Sequence, residues 1–261
     1  MTIDPVAFTI TLAGFSFAVH WYSLAYIVGI LLGWAIMRKQ GRWFLSAQQV
    51  DDLVFYGTIG IILGGRLGYV LFYNPAYYME NPAEILAVWK GGMSFHGGFI
   101  GVMLAMIFFS WRTGASVLRV ADLGGAVIPL GLMLGRVANY VNNELGGAPL
   151  KHPVEMDFLG MAWTFTHHPS QLYQAALEGL FLLIVMQIIY SLRAPKNPGM
   201  VAGAFCVLYA VVRIAVEFVR LPDAHIGYLA WGWLTMGQVL TAPLFVMGVV
   251  LIWLSVRERR A

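Results

Sequence analysis

Charge is what this 261-residue chain has least of: Asp, Glu, Lys and Arg make up 11% of it, where a soluble globular domain carries about 25%. With 59% hydrophobic residues and a mean hydropathy of +0.73, the solvent this sequence suits is the bilayer. Cysteine is nearly absent as well. The single thiol, Cys206, lies in an apolar run without a partner in the chain, which excludes an internal disulfide and a cysteine metal cluster. It reads as a small buried hydrophobe. No basic region precedes the first apolar stretch up to Phe17, so no cleavable signal peptide is expected and the first long apolar segment should remain as a helix. The formal charge of +3 does not call for nucleic acid as a partner, because basic cytoplasmic loops give any membrane protein this bias. Neither a tandem repeat nor a linker divides the sequence, so residues 1–261 are read as one integral-membrane domain.

A membrane span needs about 20 predominantly apolar residues. Seven stretches qualify: Val19–Met37, Leu53–Phe72, Met93–Trp111, Leu123–Val141, Gln171–Tyr190, Val201–Val219 and Leu234–Val256. The expected fold class is therefore all-α, a polytopic membrane protein with seven transmembrane helices. Arg38, Lys39 and Arg42 follow the first span, Arg112 and Arg119 the third, Arg193 and Lys196 the fifth, and Arg257, Arg259 and Arg260 the seventh, whereas the alternate loops hold only Lys90, Lys151 and Arg220. That asymmetry puts the N-terminus outside and the C-terminus in the cytoplasm. The longest non-apolar segments, near 73–92 and 142–169, then share the outer face, and long loops in a compact protein are often functional. The aromatics of Asn74–Tyr78 and Gly227–Trp233 suit anchors at the headgroup level.

The informative residues are the polar ones inside apolar runs. Counting about 1.5 Å of rise per residue, Arg66, Arg136 and Arg213 fall in the outer halves of the outward-running spans. Tyr22, His96 and Glu178 fall in the outer halves of the inward-running ones. A charge facing lipid costs about 2.5–3.5 kcal/mol by insertion scales, so such groups usually face a cavity or a partner. On the sixth span Tyr209, Arg213 and Glu217 recur every four residues, with Arg220 three further on, which aligns them on one helical face. That stripe reads either as part of a site or as an Arg213–Glu217 pair tethering helices. Gly64-Gly65-Arg66-Leu67-Gly68 and His96-Gly97-Gly98 set ionisable groups among glycines, which either let helices pack closely or expose N–H groups to an anion. The run from Gly135 to Gly147 ends an apolar helix in Arg136, Asn139, Asn142 and Glu144. This inventory suits a phosphate headgroup with polyol hydroxyls: Arg offers phosphate a planar donor fork, and the amides and carboxylate can hydrogen-bond glycerol.

Gly135-Arg136-x-x-Asn139-Tyr140-x-Asn142-x-Glu144 resembles the signature of prolipoprotein diacylglyceryl transferases. Further family-like blocks follow the same order: His20-Trp21-Tyr22, Gly64 to Tyr69, Gly91 to Gly98, His168-Pro169-Ser170-Gln171-Leu172-Tyr173, Arg213 to Asp223, and Met236-Gly237-Gln238. Ala138 and Tyr140 replace the usual Gly and Phe, Gly146 and Ala148 stand where Trp and Arg are frequent, and His167 stands where Arg often precedes His-Pro-Ser. The resemblance implies a bacterial inner-membrane enzyme whose partners are phosphatidylglycerol, the prolipoprotein signal peptide with its lipobox cysteine, and membrane lipids. It implies no organic cofactor and no metal. The thiol attacks the glycerol carbon bonded to phosphate, giving a thioether and glycerol phosphate. His96 is then the candidate base, since imidazole titrates near 6.5, and Arg136 and Arg213 are the phosphate clamps. Tyr22, Asn139, Asn142, Glu144, Tyr209 and Glu217 would hold the headgroup or orient the clamps, together with Gly97, Gly98, Arg66 and Arg220. Two rivals are weighed on residues. A transporter built on inverted repeats would show paired interrupted spans, and none is seen. An intramembrane serine protease would need Ser94 and His96 to face each other, but helical neighbours lie three or four apart. A lipid-binding scaffold without turnover is separated from the enzyme by release of glycerol phosphate.

Overall fold

A chain surrounded by lipid must satisfy its backbone N–H and C=O groups within itself, and apolar runs of this length do so as helices. The computed structural model describes residues 4–12, 14–158, 161–194, 196–221 and 227–258. It opens with two strands, β1 (Val6–Leu12) and β2 (Phe15–His20), followed by α1 (Trp21–Gly41), α2 (Ala47–Phe72), the short α3 (Pro75–Glu80), α4 (Phe95–Thr113) and α5 (Val117–Val141). After β3 (Pro149–Phe158) and β4 (Met161–His167) come α6 (Ser170–Gln174), α7 (Leu182–Arg193), α8 (Met200–Glu217) and α9 (Met236–Glu258). A π-helical stretch, Ala175–Phe181, joins α6 to α7. Seven helices among the described residues are long and apolar enough to cross a membrane: α1, α2, α4, α5, the continuous Ser170–Arg193 span, α8 and α9.

Each expected span overlaps one of these helices. The two largest shifts are equal: α5 begins at Val117 rather than Leu123, and α2 begins at Ala47 rather than Leu53 because Ser46 forms a capping box, its hydroxyl accepting from Gln49 N while the Gln49 side chain accepts from Ser46 N. The cap draws polar residues into the helix ahead of the apolar run. Two antiparallel hairpins, β1–β2 and β3–β4, are additions to the helical reading. The second falls in the 142–169 segment, pairing Val154 with Phe165 and Met156 with Trp163.

The chain divides into two compact units. In the unit Trp34–Ala121, α2 and α4 pack along a glycine seam. A Cβ added at Gly64 would collide with the Gly97 carbonyl, and one at Gly101 with the Gly60 carbonyl. The backbones therefore touch where side chains would hold them apart, as small-residue interfaces between membrane helices allow. Ser94 starts α4, accepting Gly97 N on its hydroxyl at 3.2 Å and giving its own N–H to Gly65 O at 2.8 Å. Arg66, 3% exposed, gathers the 73–92 segment. Its Nε donates to Ile85 O (2.8 Å), Nη2 to Glu84 O (2.7 Å), and Nη1 to the carbonyls of Gly91 and Gly92.

The other unit, Met1–Gly33 with Asp122–Ala261, holds α8, as buried as α5 and packed closely on α9 where Gly203 and Gly248 meet. Asp122 of α5 accepts Gly199 N (2.8 Å) and Ala202 N (2.9 Å) at the start of α8. A carboxylate on orphan N–H groups at the positive end of a helix is stabilising, and here it locks two spans in register. The chain after α5 is tied to the end of α8, with Ala148 N donating to Val219 O at 3.0 Å and Gly147 N to His168 O at 3.1 Å.

Candidate active site

Polar groups from α5, the π stretch, α8 and the loop before α9 converge in the larger unit. Glu178, fully buried, sits between two cations: Arg136 Nε lies 3.8 Å from Oε2, and Arg213 Nη1 lies 3.4 Å from Oε1. Arg213 also pairs through Nη2 with Glu217 at 3.0 Å. Glu217 takes Arg220 Nη1 at 3.4 Å and the Thr235 hydroxyl at 2.9 Å. Among the described residues, three guanidinium groups thus face two carboxylates in a largely buried cluster. The four-residue spacing read from sequence does put Arg213 and Glu217 on one face of α8, and Tyr209, one turn earlier, stacks on Phe205.

Local sequence explains the convergence. The π turn widens the helix around Glu178, a device that often marks functional sites, and Gly179 beside it lets that stretch lie against the Met133 backbone of α5. At α9 a Cβ on Gly237 would stand 2.7 Å from a Glu217 oxygen, so glycine there admits the carboxylate to the start of the helix. Thr235 and Gln238 close that start, Gln238 N donating to Thr235 Oγ1 (3.3 Å) and Thr235 N to Gln238 Oε1 (3.0 Å).

A second cluster lies at the end of α5. The Glu144 carboxylate accepts from Asn139 Nδ2 (3.2 Å) and Asn142 Nδ2 (3.4 Å), and Gln171 donates to the Glu144 carbonyl. Asn142 and Glu144 join His20, Tyr22 and Ser23 around a cleft of about 200 Å³. The Tyr22 hydroxyl lies 3.3 Å from that of Tyr26. The cleft thus offers a carboxylate, an amide and hydroxyls, groups that suit a polyol. Arg136 and Asn139 are three residues apart on α5 and so share a face, which links this cluster to the arginines.

The two arginines named as clamps differ in how much of the guanidinium is committed. Both terminal nitrogens of Arg213 are engaged by carboxylates. Arg136, with a side chain 19% exposed, is paired only through Nε, and its terminal amino groups make no hydrogen bond among the described residues. The planar fork of Arg136 is therefore uncommitted among the described residues.

Tyr22, Arg136, Asn139, Asn142, Glu144, Tyr209, Arg213, Glu217 and Arg220 all lie in this unit. Arg66, His96, Gly97 and Gly98 belong to the other. There Arg66 has all three nitrogens on loop carbonyls, Gly97 lies in the α2–α4 seam, and Gly98 has only ordinary contact with Ile61. His96 is exposed in the first turn of α4, edge-on to Phe95 at 5.6 Å, and makes no hydrogen bond among the described residues. Pro222 and Asp223 lie outside the described residues. Glu178, which the sequence singled out as a polar group in an apolar span without a role, lies at the centre of the cluster, and Gln171, Thr235 and Gln238 were not among the candidate site residues. Gln171 and Gln238 lie in recognised blocks, which was the available signal.

A family model described as prolipoprotein diacylglyceryl transferase matches residues 5–254. Phosphatidylglycerol–prolipoprotein diacylglyceryl transferase of Bradyrhizobium diazoefficiens is 46% identical over 252 residues, covering 93% of this chain and 89% of that protein. The protein of that name from Agrobacterium fabrum is 46% identical over 269 residues (99% and 93% covered). The one from Pseudomonas syringae pv. syringae is 44% identical over 261 residues (98% and 94%).

Proposed function

The chain belongs to the prolipoprotein diacylglyceryl transferase family, and from that premise we propose that it moves the sn-1,2-diacylglyceryl group of phosphatidylglycerol onto the lipobox cysteine of a prolipoprotein signal peptide. This transfer is the first step of bacterial lipoprotein maturation. The whole chain acts as one transferase domain, a multi-pass protein of the bacterial inner membrane. Its N-terminus is outside, its C-terminus cytoplasmic, and the segments near 73–92 and 142–169 periplasmic. The distribution of Lys and Arg between alternate loops supports that orientation.

In the step itself the cysteine sulfur attacks the glycerol carbon that carries the phosphate. The S–C bond forms, the C–O bond breaks with its electron pair leaving on oxygen, and glycerol phosphate departs with one more negative charge than the diester had. The thiol must first lose its proton, since the thiolate is the nucleophile. His96 accepts it. Arg136 neutralises the charge that grows on the leaving phosphate, where a fixed cation in a site shielded from water is most effective. Arg213, held by Glu178 and Glu217, supplies the adjacent positive field. Tyr22, Asn139, Asn142, Glu144 and Tyr209 hold the headgroup glycerol, Arg220 secures Glu217, and Arg66 holds the 73–92 segment of its own unit.

The observation that carries this reading is the uncommitted fork of Arg136 beside the buried Glu178 carboxylate. The test uses purified protein in phosphatidylglycerol nanodiscs, a lipobox peptide, and the same peptide with serine in place of cysteine. Glycerol phosphate should be released with the cysteine peptide alone. Arg136→Ala should abolish release, and Arg136→Lys should rescue poorly because an ammonium lacks the fork. Full activity in well-folded Arg136→Ala protein would overturn the assignment.

A further inference from the structure

The β1–β2 hairpin is an amphipathic ribbon. Its register pairs Phe8 with Val19, Ile10 with Phe17 and Leu12 with Phe15, while Thr9 faces Ala18 and Thr11 faces Ser16. Side chains alternate across a strand, so one face is entirely apolar and the other small and hydroxylated, with Thr11 Oγ1 3.2 Å from Ser16 Oγ. The protein covers little of the apolar face: Phe8 is 49% exposed, Ile10 43%, Leu12 65%, Phe15 71% and Phe17 59%. Exposure is greatest at the tip. No charged residue occurs between Val6 and Met37, so nothing on the ribbon opposes contact with an apolar medium.

What covers the face follows from where the ribbon ends. His20 is the last residue of β2 and Trp21 the first of the membrane-spanning α1, and Trp21 N donates to Pro5 O at 3.1 Å. The base of the ribbon is thereby fixed at the mouth of a span, continuous with the bilayer surface. At about 3.4 Å per residue the strands reach roughly 20 Å. A ribbon of that length standing upright would carry its most apolar residues into water. One plunged into hydrocarbon would leave its unpaired strand edges without hydrogen-bond partners. Lying flat at the boundary of headgroups and acyl chains meets both demands, since apolar faces settle about 5–10 Å into that layer while polar groups stay hydrated.

We propose that the β1–β2 hairpin is an interfacial membrane anchor, with Phe8, Ile10, Leu12, Phe15 and Phe17 seated in the lipid surface and Thr9, Thr11 and Ser16 turned to water. The anchor leads directly into His20 and Tyr22 at the cleft, so it fixes the depth at which the cleft meets lipid headgroups. The proposal needs only the membrane-spanning fold and stands apart from the transferase chemistry. Its test places single nitroxide labels at positions 10, 15 and 17 and at 11 and 16, in a Cys206→Ala background. The labelled proteins are reconstituted in nanodiscs of phosphatidylethanolamine and phosphatidylglycerol, and collision rates are measured with oxygen and with a water-soluble nickel chelate. The oxygen-to-nickel ratio is expected to alternate with period two, several-fold higher at 10, 15 and 17 than at 11 and 16. Nickel access at 15 and 17 equal to that at 16 would overturn the proposal, as would high oxygen ratios on both faces. Immobile labels shielded from both reagents at 15 and 17 would put a second protein surface there instead, and would overturn it too.

Discussion

Replacing Glu178 by glutamine keeps the side chain's shape and removes the one charge that separates Arg136 from Arg213. At the observed 3.4 and 3.8 Å, and with an effective dielectric constant of about 20, each attraction amounts to about 4–5 kcal/mol. Desolvating the ions offsets much of this, so the expected net destabilisation is that of a broken buried pair, about 3–5 kcal/mol. The cluster gains one net positive charge, and among the described residues Arg213 keeps only Glu217 to hold it. Without Glu178 the two guanidinium groups repel, and a displacement of about 1 Å in a group aimed at a reacting centre can cost about 10²-fold in rate. Glu178→Gln should therefore unfold at lower temperature and lose about two orders of magnitude in kcat. Glu178→Asp, which keeps the charge at a shorter reach, should recover part of both. The assay pairs thermal unfolding in detergent with turnover of a lipobox peptide in phosphatidylglycerol nanodiscs. Wild-type kcat and wild-type thermal stability in Glu178→Gln would refute the reasoning that the buried carboxylate holds the arginines apart and in place.

Other expectations test separate parts of the molecule. Gly64→Ala should weaken the α2–α4 seam, because the new methyl meets the Gly97 carbonyl, whereas Gly98→Ala, whose methyl would find its nearest neighbour at 3.5 Å, should leave thermal stability nearly unchanged. Equal melting temperatures for the two variants would contradict the packing. In the 73–92 segment, Glu84 accepts from Lys90 and from the Tyr77 hydroxyl, each at 2.7 Å. Those bonds hold the Glu84 carboxyl below its usual value and the Lys90 ammonium above its own. The Glu84 contribution is present above the unfolded carboxylate value and lost as pH falls through the lowered folded one. That of Lys90 is present below the unfolded ammonium value and lost as pH rises through the raised folded one. Proteolytic nicking of the segment should thus be slowest between these limits and faster at both extremes, and a flat profile would count against the trio. His96→Gln should bind phosphatidylglycerol normally yet lose about 10²–10⁴-fold in single-turnover rate, partly regained at high pH where thiolate forms unaided. A near-wild-type rate at neutral pH would remove the base assignment.

Much of this was legible in the sequence, and the exceptions have physical causes. Apolar run length located all seven spans because lipid imposes one requirement on every segment, closing its own hydrogen bonds. Helical spacing put Arg213 and Glu217 together because both lie on α8. What sequence reading missed is long-range or irregular. Glu178 meets an arginine 35 residues away across a π turn, and no periodicity announces such a turn. Arg66 looked like a ligand group because charge in an apolar run implies a polar partner. The partners turned out to be backbone carbonyls of a loop, which sequence does not identify. The β1–β2 ribbon was the avoidable omission: Phe8, Ile10 and Leu12 alternate with Ala7, Thr9 and Thr11 in the two-residue period of a half-buried strand.

In the proposed reaction the bond between glycerol carbon and phosphate oxygen breaks and the whole diacylglyceryl group moves. Phosphatidylglycerol labelled with one isotope in the diacylglyceryl part and another in the headgroup glycerol tests it directly, with purified protein and a lipobox peptide. The peptide should gain the first label and none of the second, with one glycerol phosphate released for each peptide modified. A peptide carrying acyl label without backbone glycerol, or carrying both labels, would contradict the account.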